Sequence, residues 1–193
     1  MLSDQVRNWT QGIRSAIARA LGRLGVTPNT LTVFGYLLHL PAMYALATGH
    51  LQLGGVLLAV ASAFDALDGS VAREMGQAST FGAFLDSVVD RFSEGTVLFG
   101  LLFWYLGHGA RQEPLLVYAT VFGSLLVSYT RARAEGLGIQ CKEGLLTRFE
   151  RVIVLVIGLL AKQAHPALWL LAILTNFTAL QRVYHVWRKT SSG

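Results

Sequence analysis

The sequence predicts an all-α integral membrane protein: six transmembrane helices, preceded by an amphipathic helix that lies in the membrane interface. Three observations carry that prediction. Of the 193 residues 53% are hydrophobic and only 14% charged, against about 25% charged in soluble domains. The apolar residues come in long runs, several close to the roughly 20 residues that a span requires. The basic residues are also unevenly placed. With a cytoplasmic amino terminus, every lysine and arginine of the 16 except Arg111 and Lys162 faces the cytoplasm, which is the positive-inside pattern and sets both termini inside. The chain is therefore expected in the cell membrane, with its polar helix ends cytoplasmic.

Residues 1–26 place Val6, Trp9, Ile13, Ile17, Ala20 and Leu24 at helical spacing, with Arg7, Arg14, Arg19 and Arg23 between them. Arginines recur too often for a span, so this segment reads as an interfacial helix and not as a signal peptide. Thr27-Pro28-Asn29-Thr30 then supplies helix-start chemistry, with side-chain oxygens for free amides and a proline tolerated in a first turn. The membrane domain covers residues 27–189, with spans expected near 31–48, 51–64, 88–106, 115–129, 152–161 and 167–186, and a tail at 190–193. Pro41 is expected to kink the first span. No room remains for a separate soluble domain. The single cysteine, Cys141, has no partner for a disulfide or a C-x-x-C zinc site. The net charge of +5 follows from topology and attraction to anionic lipid, and it requires no nucleic acid.

Four aspartates gather where the second span ends and the third begins. Asp65 and Asp68 share a face at the i, i+3 spacing, while Gly82, Asp86 and Asp90 follow i, i+4, i+8 on the next helix. Ionised carboxylates beside hydrocarbon are costly unless something positive neutralises them. Two divalent cations would do so, and oxygen donors without a nearby histidine or cysteine suit Mg²⁺ or Mn²⁺ rather than zinc. Two such ions clamp a diphosphate, which points to phosphoryl transfer. The competing readings are an ion-pair network neutralised by Arg73 and Arg91, and a cation path through a small transporter. The five histidines lack metal-ligand spacing and are expected to be structural or surface groups.

Written in full, the stretch is Asp65-x2-Asp68-Gly69-x2-Ala72-Arg73-x8-Gly82-x3-Asp86-x3-Asp90. It resembles the signature of the CDP-alcohol phosphotransferase (CDP-alcohol phosphatidyltransferase) family with every fixed position filled. The resemblance extends to the amphipathic first helix, the Thr-Pro-Asn entry and the six spans. It implies that Asp65, Asp68, Asp86 and Asp90 hold two divalent cations, Mg²⁺ or Mn²⁺. It further implies that Asp68, Gly69, Arg73 and Gly82 bind the CDP-lipid, that Asp90 is the general base, and that the protein is a homodimer. The implied reaction moves a phosphatidyl or archaetidyl group from a CDP-lipid to an alcohol, with CMP leaving.

A basic cluster bears on the acceptor: Ser128-Tyr129-Thr130-Arg131-Ala132-Arg133-Ala134-Glu135, then Thr147-Arg148-Phe149-Glu150-Arg151. Arginine forks suit a phosphate dianion better than a neutral polyol, so a water-soluble phosphorylated alcohol is expected. The alternative is that these arginines only mark topology and meet lipid headgroups. The segment is similar to the phosphatidylinositol-phosphate synthase branch, which implies inositol 1-phosphate as acceptor and Ser128, Arg131, Arg148 and Arg151 as its binding residues, with Arg182 or Arg188 assisting. Thr147 departs from the glutamate usual there. Glycerol 3-phosphate, the phosphatidylglycerophosphate synthase acceptor, is the second expectation. An intramembrane prenyltransferase would need more spans, and a small cation transporter or structural membrane protein would bind without releasing CMP.

Overall fold

The computed structural model describes residues 27–74, 79–141 and 143–191, and of residues 66–74 the backbone alone. The expected interfacial helix of residues 1–26 lies outside the described residues. Six helices follow one another: α1 (Pro28–Ala47), α2 (Leu51–Glu74), α3 (Thr80–Gly107), α4 (Gln112–Gly136), α5 (Arg148–Leu160) and α6 (Ala164–Ser191).

Helix starts follow from local chemistry. Thr27 caps α1, its Oγ1 accepting from the Thr30 amide at 3.3 Å, with Pro28 in the first turn. Ser79 caps α3 through the Gly82 amide at 2.9 Å. At α5 the Glu150 carboxylate accepts from the Thr147 amide at 2.8 Å and from its hydroxyl, the reciprocal half of a capping box. Thr147 therefore starts the helix that carries Arg148. Pro41 lies inside α1 without ending it. The last helix continues through Thr190 and Ser191, beyond residue 189 where a tail was expected; the Thr190 hydroxyl donates to the Val186 and Trp187 carbonyls at 3.0 Å.

Packing joins the helices in a closed cycle: α1 lies on α2 and α3, α2 on α5, α5 on α6, α6 on α4, and α4 on α3. The backbones of α1 and α3 meet closely, since a Cβ on Gly100 would stand 2.5 Å from the Met43 carbonyl oxygen. The interior is filled by Leu46, Leu98, Leu101, Leu159, Leu168 and Leu171, all essentially inaccessible. Buried polar groups also point inward, among them Thr120, Thr175, Arg151 and Arg182, while Phe99, Phe103, Leu115, Ile157 and Leu180 are exposed. An outer surface this apolar belongs in lipid. Helices α1 and α4 are each long and apolar enough to cross a membrane, and α2 adds a shorter apolar stretch over Leu51–Asp65. With 13 residues, α5 is about 20 Å long, shorter than a hydrocarbon core of about 30 Å.

Candidate active site

Three helices converge on one cavity of about 460 Å³. Helix α2 contributes Asp65, α3 contributes Asp86 and Asp90, and α5 contributes Arg148. Away from these charges the wall is apolar, built from Ala59 and Ala63 of α2 and Val152, Ile153, Val156 and Ile157 of α5. The cavity is thus charged at one end and lipid-like along its length.

Arg148 ties the acids together. Its Nη2 stands 2.9 Å from Asp65 Oδ2 and its Nη1 2.8 Å from Asp90 Oδ1. These are charge-assisted hydrogen bonds that one planar guanidinium makes to two helices at once. On the far side of Asp65 lies α1: His39, buried, donates from Nδ1 to the Gly35 carbonyl at 3.0 Å and turns Nε2 toward Asp65 Oδ2 at 3.7 Å. A Cβ on Gly35 would fall 2.6 Å from Asp65 Oδ1, so glycine there leaves the carboxylate its place.

Asp90 also faces Arg91, whose Nη1 lies 3.6 Å from Oδ2. Arg91 Nη2 donates to Ser128 Oγ at 2.9 Å, and Ser128 in turn donates to the Ser124 carbonyl at 3.1 Å. Ser128 is therefore linked to the acidic group through Arg91. Arg131, half-exposed, pairs with Glu135 one turn along α4 at 2.8 Å. Arg151 is elsewhere, buried with both forks on Glu94. Arg182 donates to the carbonyls of Glu143 and Val127, which ties the loop before α5 to α4 and α6. Gly82 sits in the first turn of α3 with its amide on Ser79. Asp68, Gly69 and Arg73 lie on the described backbone of α2, but their side chains are outside the described residues.

Cation binding can be tested against this donor set. Asp65, Asp86 and Asp90 supply carboxylate oxygens alone, the chemistry of a hard divalent ion. Ser62 Oγ and Arg148 Nε, both at the cavity, are buried without a hydrogen-bond partner among the described residues, so the site has polar capacity left for a ligand. Among the described residues no three of His, Cys, Asp and Glu are grouped tightly enough to hold an ion; the Arg148 guanidinium bridges Asp65 and Asp90 instead. The residues fit a divalent cation in kind, with Arg148 as its competitor.

Sequence reading missed three participants. Glu94 is one further step of the row Gly82, Asp86, Asp90 and was visible by extending it. His39 and Gly35 carry no local signal, because only the α1–α2 contact brings them to Asp65.

An archaetidylinositol phosphate synthase of Pyrococcus horikoshii is 40% identical over 92% of this chain and 92% of its own length. A phosphatidylinositol phosphate synthase of Mycobacteroides abscessus is 36% identical over 94% of this chain and 86% of its own. The crystal structure of Mycobacterium tuberculosis phosphatidylinositol phosphate synthase with CDP-DAG bound superposes with a TM-score of 0.85 at 33% identity, covering 91% of this chain and 94% of that one. The same enzyme in complex with manganese and citrate gives 0.83 at 32% identity, covering 90% and 88%. The family profile spans residues 25–181, and with these relatives it shows that the chain belongs to the CDP-alcohol phosphatidyltransferase family of transferases.

Proposed function

We propose that this chain transfers a phosphatidyl or archaetidyl group from a CDP-lipid to the hydroxyl of inositol 1-phosphate, giving a phosphatidylinositol phosphate or its archaeal counterpart and CMP. The observation that carries this reading is the single cavity that joins Asp65, Asp86, Asp90 and Arg148 to the apolar wall of α2 and α5. A CDP-lipid has the same two-part character: a diphosphate that needs positive charge and acyl or isoprenoid tails that need hydrocarbon.

Asp65, Asp68, Asp86 and Asp90 would hold two Mg²⁺ or Mn²⁺ ions, which neutralise charge on the diphosphate as CMP departs. Asp68, Gly69, Arg73 and Gly82 would bind the CDP-lipid head. Asp90 takes the proton of the acceptor hydroxyl; its cationic neighbours keep it ionised and lower its basicity, so the step relies on a partly desolvated site. Arg148 leaves it when cationic charge arrives from elsewhere, and Arg91 stays beside it to stabilise the carboxylate. Arg148, once released from Asp65 and Asp90, offers a planar fork to the acceptor phosphate. Ser128 and Arg131 on α4 complete that side. Arg151, the fourth expected acceptor residue, acts from behind Arg148. The apolar wall carries no group to tell an ester from an ether, so either lipid fits.

The six helices would all be membrane-embedded, with the acidic helix ends and both termini cytoplasmic, and the functional unit a homodimer. That orientation lets the tails stay in the bilayer while cytidine and acceptor enter from water.

The test is CMP release by detergent-purified protein with Mg²⁺ or Mn²⁺. CDP-diacylglycerol and CDP-archaeol are offered in turn with inositol 1-phosphate, glycerol 3-phosphate, free inositol or serine. Release with inositol 1-phosphate supports the proposal. Release with glycerol 3-phosphate alone reassigns the arginines to that acceptor, and no release with any pair removes the activity.

A further inference from the structure

One turn below Arg148 and Asp90 stands a second ion pair, set back from the cavity that those two residues line. Arg151 Nε and Nη2 each lie 2.7 Å from one carboxylate oxygen of Glu94, and Nη1 reaches the Leu146 carbonyl at 3.4 Å. Arg151 is 3% exposed. The void beside the pair, about 20 Å³ and walled by Leu58, Val97, Leu98, Leu155 and Leu171, is too small for any substrate.

Glu94 follows Asp90 by four residues on α3, and Arg151 follows Arg148 by three on α5. Each helix therefore presents its two charged groups on one face, a turn apart, and the two pairs are successive rungs between the same helices. Among the described residues helices α3 and α5 are not one of the closely packed pairs of the cycle, so long side chains span much of the distance between them. The rungs differ in surroundings. Arg148 and Asp90 open onto the 460 Å³ cavity, where Arg148 must change partners when a cation or a phosphate arrives, whereas Arg151 is buried and Glu94, its side chain 12% exposed, borders only the small void. A buried ion pair among leucines and valines is a poor source of stability, because apolar side chains of similar volume usually do as well or better. Its attested use is to specify register.

We propose that Glu94 and Arg151 are a positioning pair that sets α5 against α3, and so holds Arg148 at the acids of the active site while its own partners exchange. The proposal rests on the reading of that cavity as the transferase site. The decisive variant is the double substitution Glu94→Leu with Arg151→Met, compared with each single change. Either single change leaves one buried charge unpaired and should lower the thermal midpoint in detergent. The double variant should recover that midpoint and still show an acceptor KM raised at least about 10-fold with a nearly unchanged CDP-lipid KM. Arg151→Lys, which keeps the charge but not the fork, should fall between the double variant and the wild type. Direct Mn²⁺ titration supplies a readout apart from turnover. The double variant should bind Mn²⁺ several-fold more tightly, because Arg148 no longer competes for Asp65 and Asp90.

A stable double variant with wild-type acceptor KM and Mn²⁺ affinity overturns the proposal. If the double variant does not fold, Arg151→Lys decides, and a wild-type acceptor KM there overturns it equally. A wild-type protein that neither releases CMP nor binds Mn²⁺ removes the functional reading, and the proposal with it.

Discussion

At the residue scale, Arg148 sits between Asp65 and Asp90, two carboxylates that the proposed reaction would need for other work. Arg148→Ala should raise the acceptor KM by at least about 10-fold and leave the CDP-lipid KM within about 2-fold. Steady-state CMP release with each substrate varied in turn checks this, and equal effects on both would take Arg148 out of the acceptor site. Asp90→Asn keeps the shape of the carboxylate but cannot accept the proton, so turnover should vanish while CDP-lipid binding persists in equilibrium dialysis. Gly35→Ala is the least obvious of the site changes, since it alters no charge. The added methyl would meet Asp65 Oδ1 at 2.6 Å, closer than a Cβ tolerates, so the carboxylate must turn from the place it holds beside Arg148. A fall in kcat/KM of at least about 10-fold with an unchanged circular dichroism spectrum is expected.

At the element scale, α5 is the short helix with the demanding position. It has 13 residues, it begins directly at Arg148, and its first turn is held by the Thr147 and Glu150 contacts. Thr147→Ala removes the hydroxyl from that cap. Loss of a cap typically costs about 1 kcal/mol, seen as a lower thermal midpoint in detergent, and the loosened turn should raise the acceptor KM as well. The loop ahead of α5 is tied down by α6: Arg182 donates to the Glu143 carbonyl at 2.8 Å and Lys189 to the Gln140 carbonyl at 3.0 Å. Helix α6 thus restrains the loop from which α5 starts.

At the scale of the whole molecule, a core of leucine and alanine also takes in Arg151, Arg182, Thr120, Thr175 and Thr178, while many phenylalanines and further leucines are exposed on the outside. Orientation is testable from either face. In a Cys141→Ala background, Gln112→Cys changes the first residue of α4, at the end facing α3, and Gln140→Cys lies between α4 and α5. In right-side-out vesicles an impermeant maleimide should label the first and spare the second. Labelling in the reverse order would place the acidic helix ends outside the cell.

The sequence by itself determined the class of protein and the chemistry of its acidic group. Long apolar runs, one-sided basic residues and carboxylates at i, i+3 and i, i+4 are properties of single helices, and helical periodicity alone puts Asp86 and Asp90 on one face. The entry at Thr27 and Pro28 was legible for the same reason, because a cap involves neighbours in the chain. Contacts between helices were not legible. Nothing near Arg148 in the chain shows that it will bridge Asp65, 83 residues away, or that Arg151, one turn on, will turn inward to Glu94. Only the tertiary structure decided which arginine meets the acids, which is sealed behind them, and that His39 and Gly35 close the wall behind Asp65. Those choices depend on how six helices pack around one core, and a side chain's partner across a bundle is set by that packing and not by its neighbours in sequence.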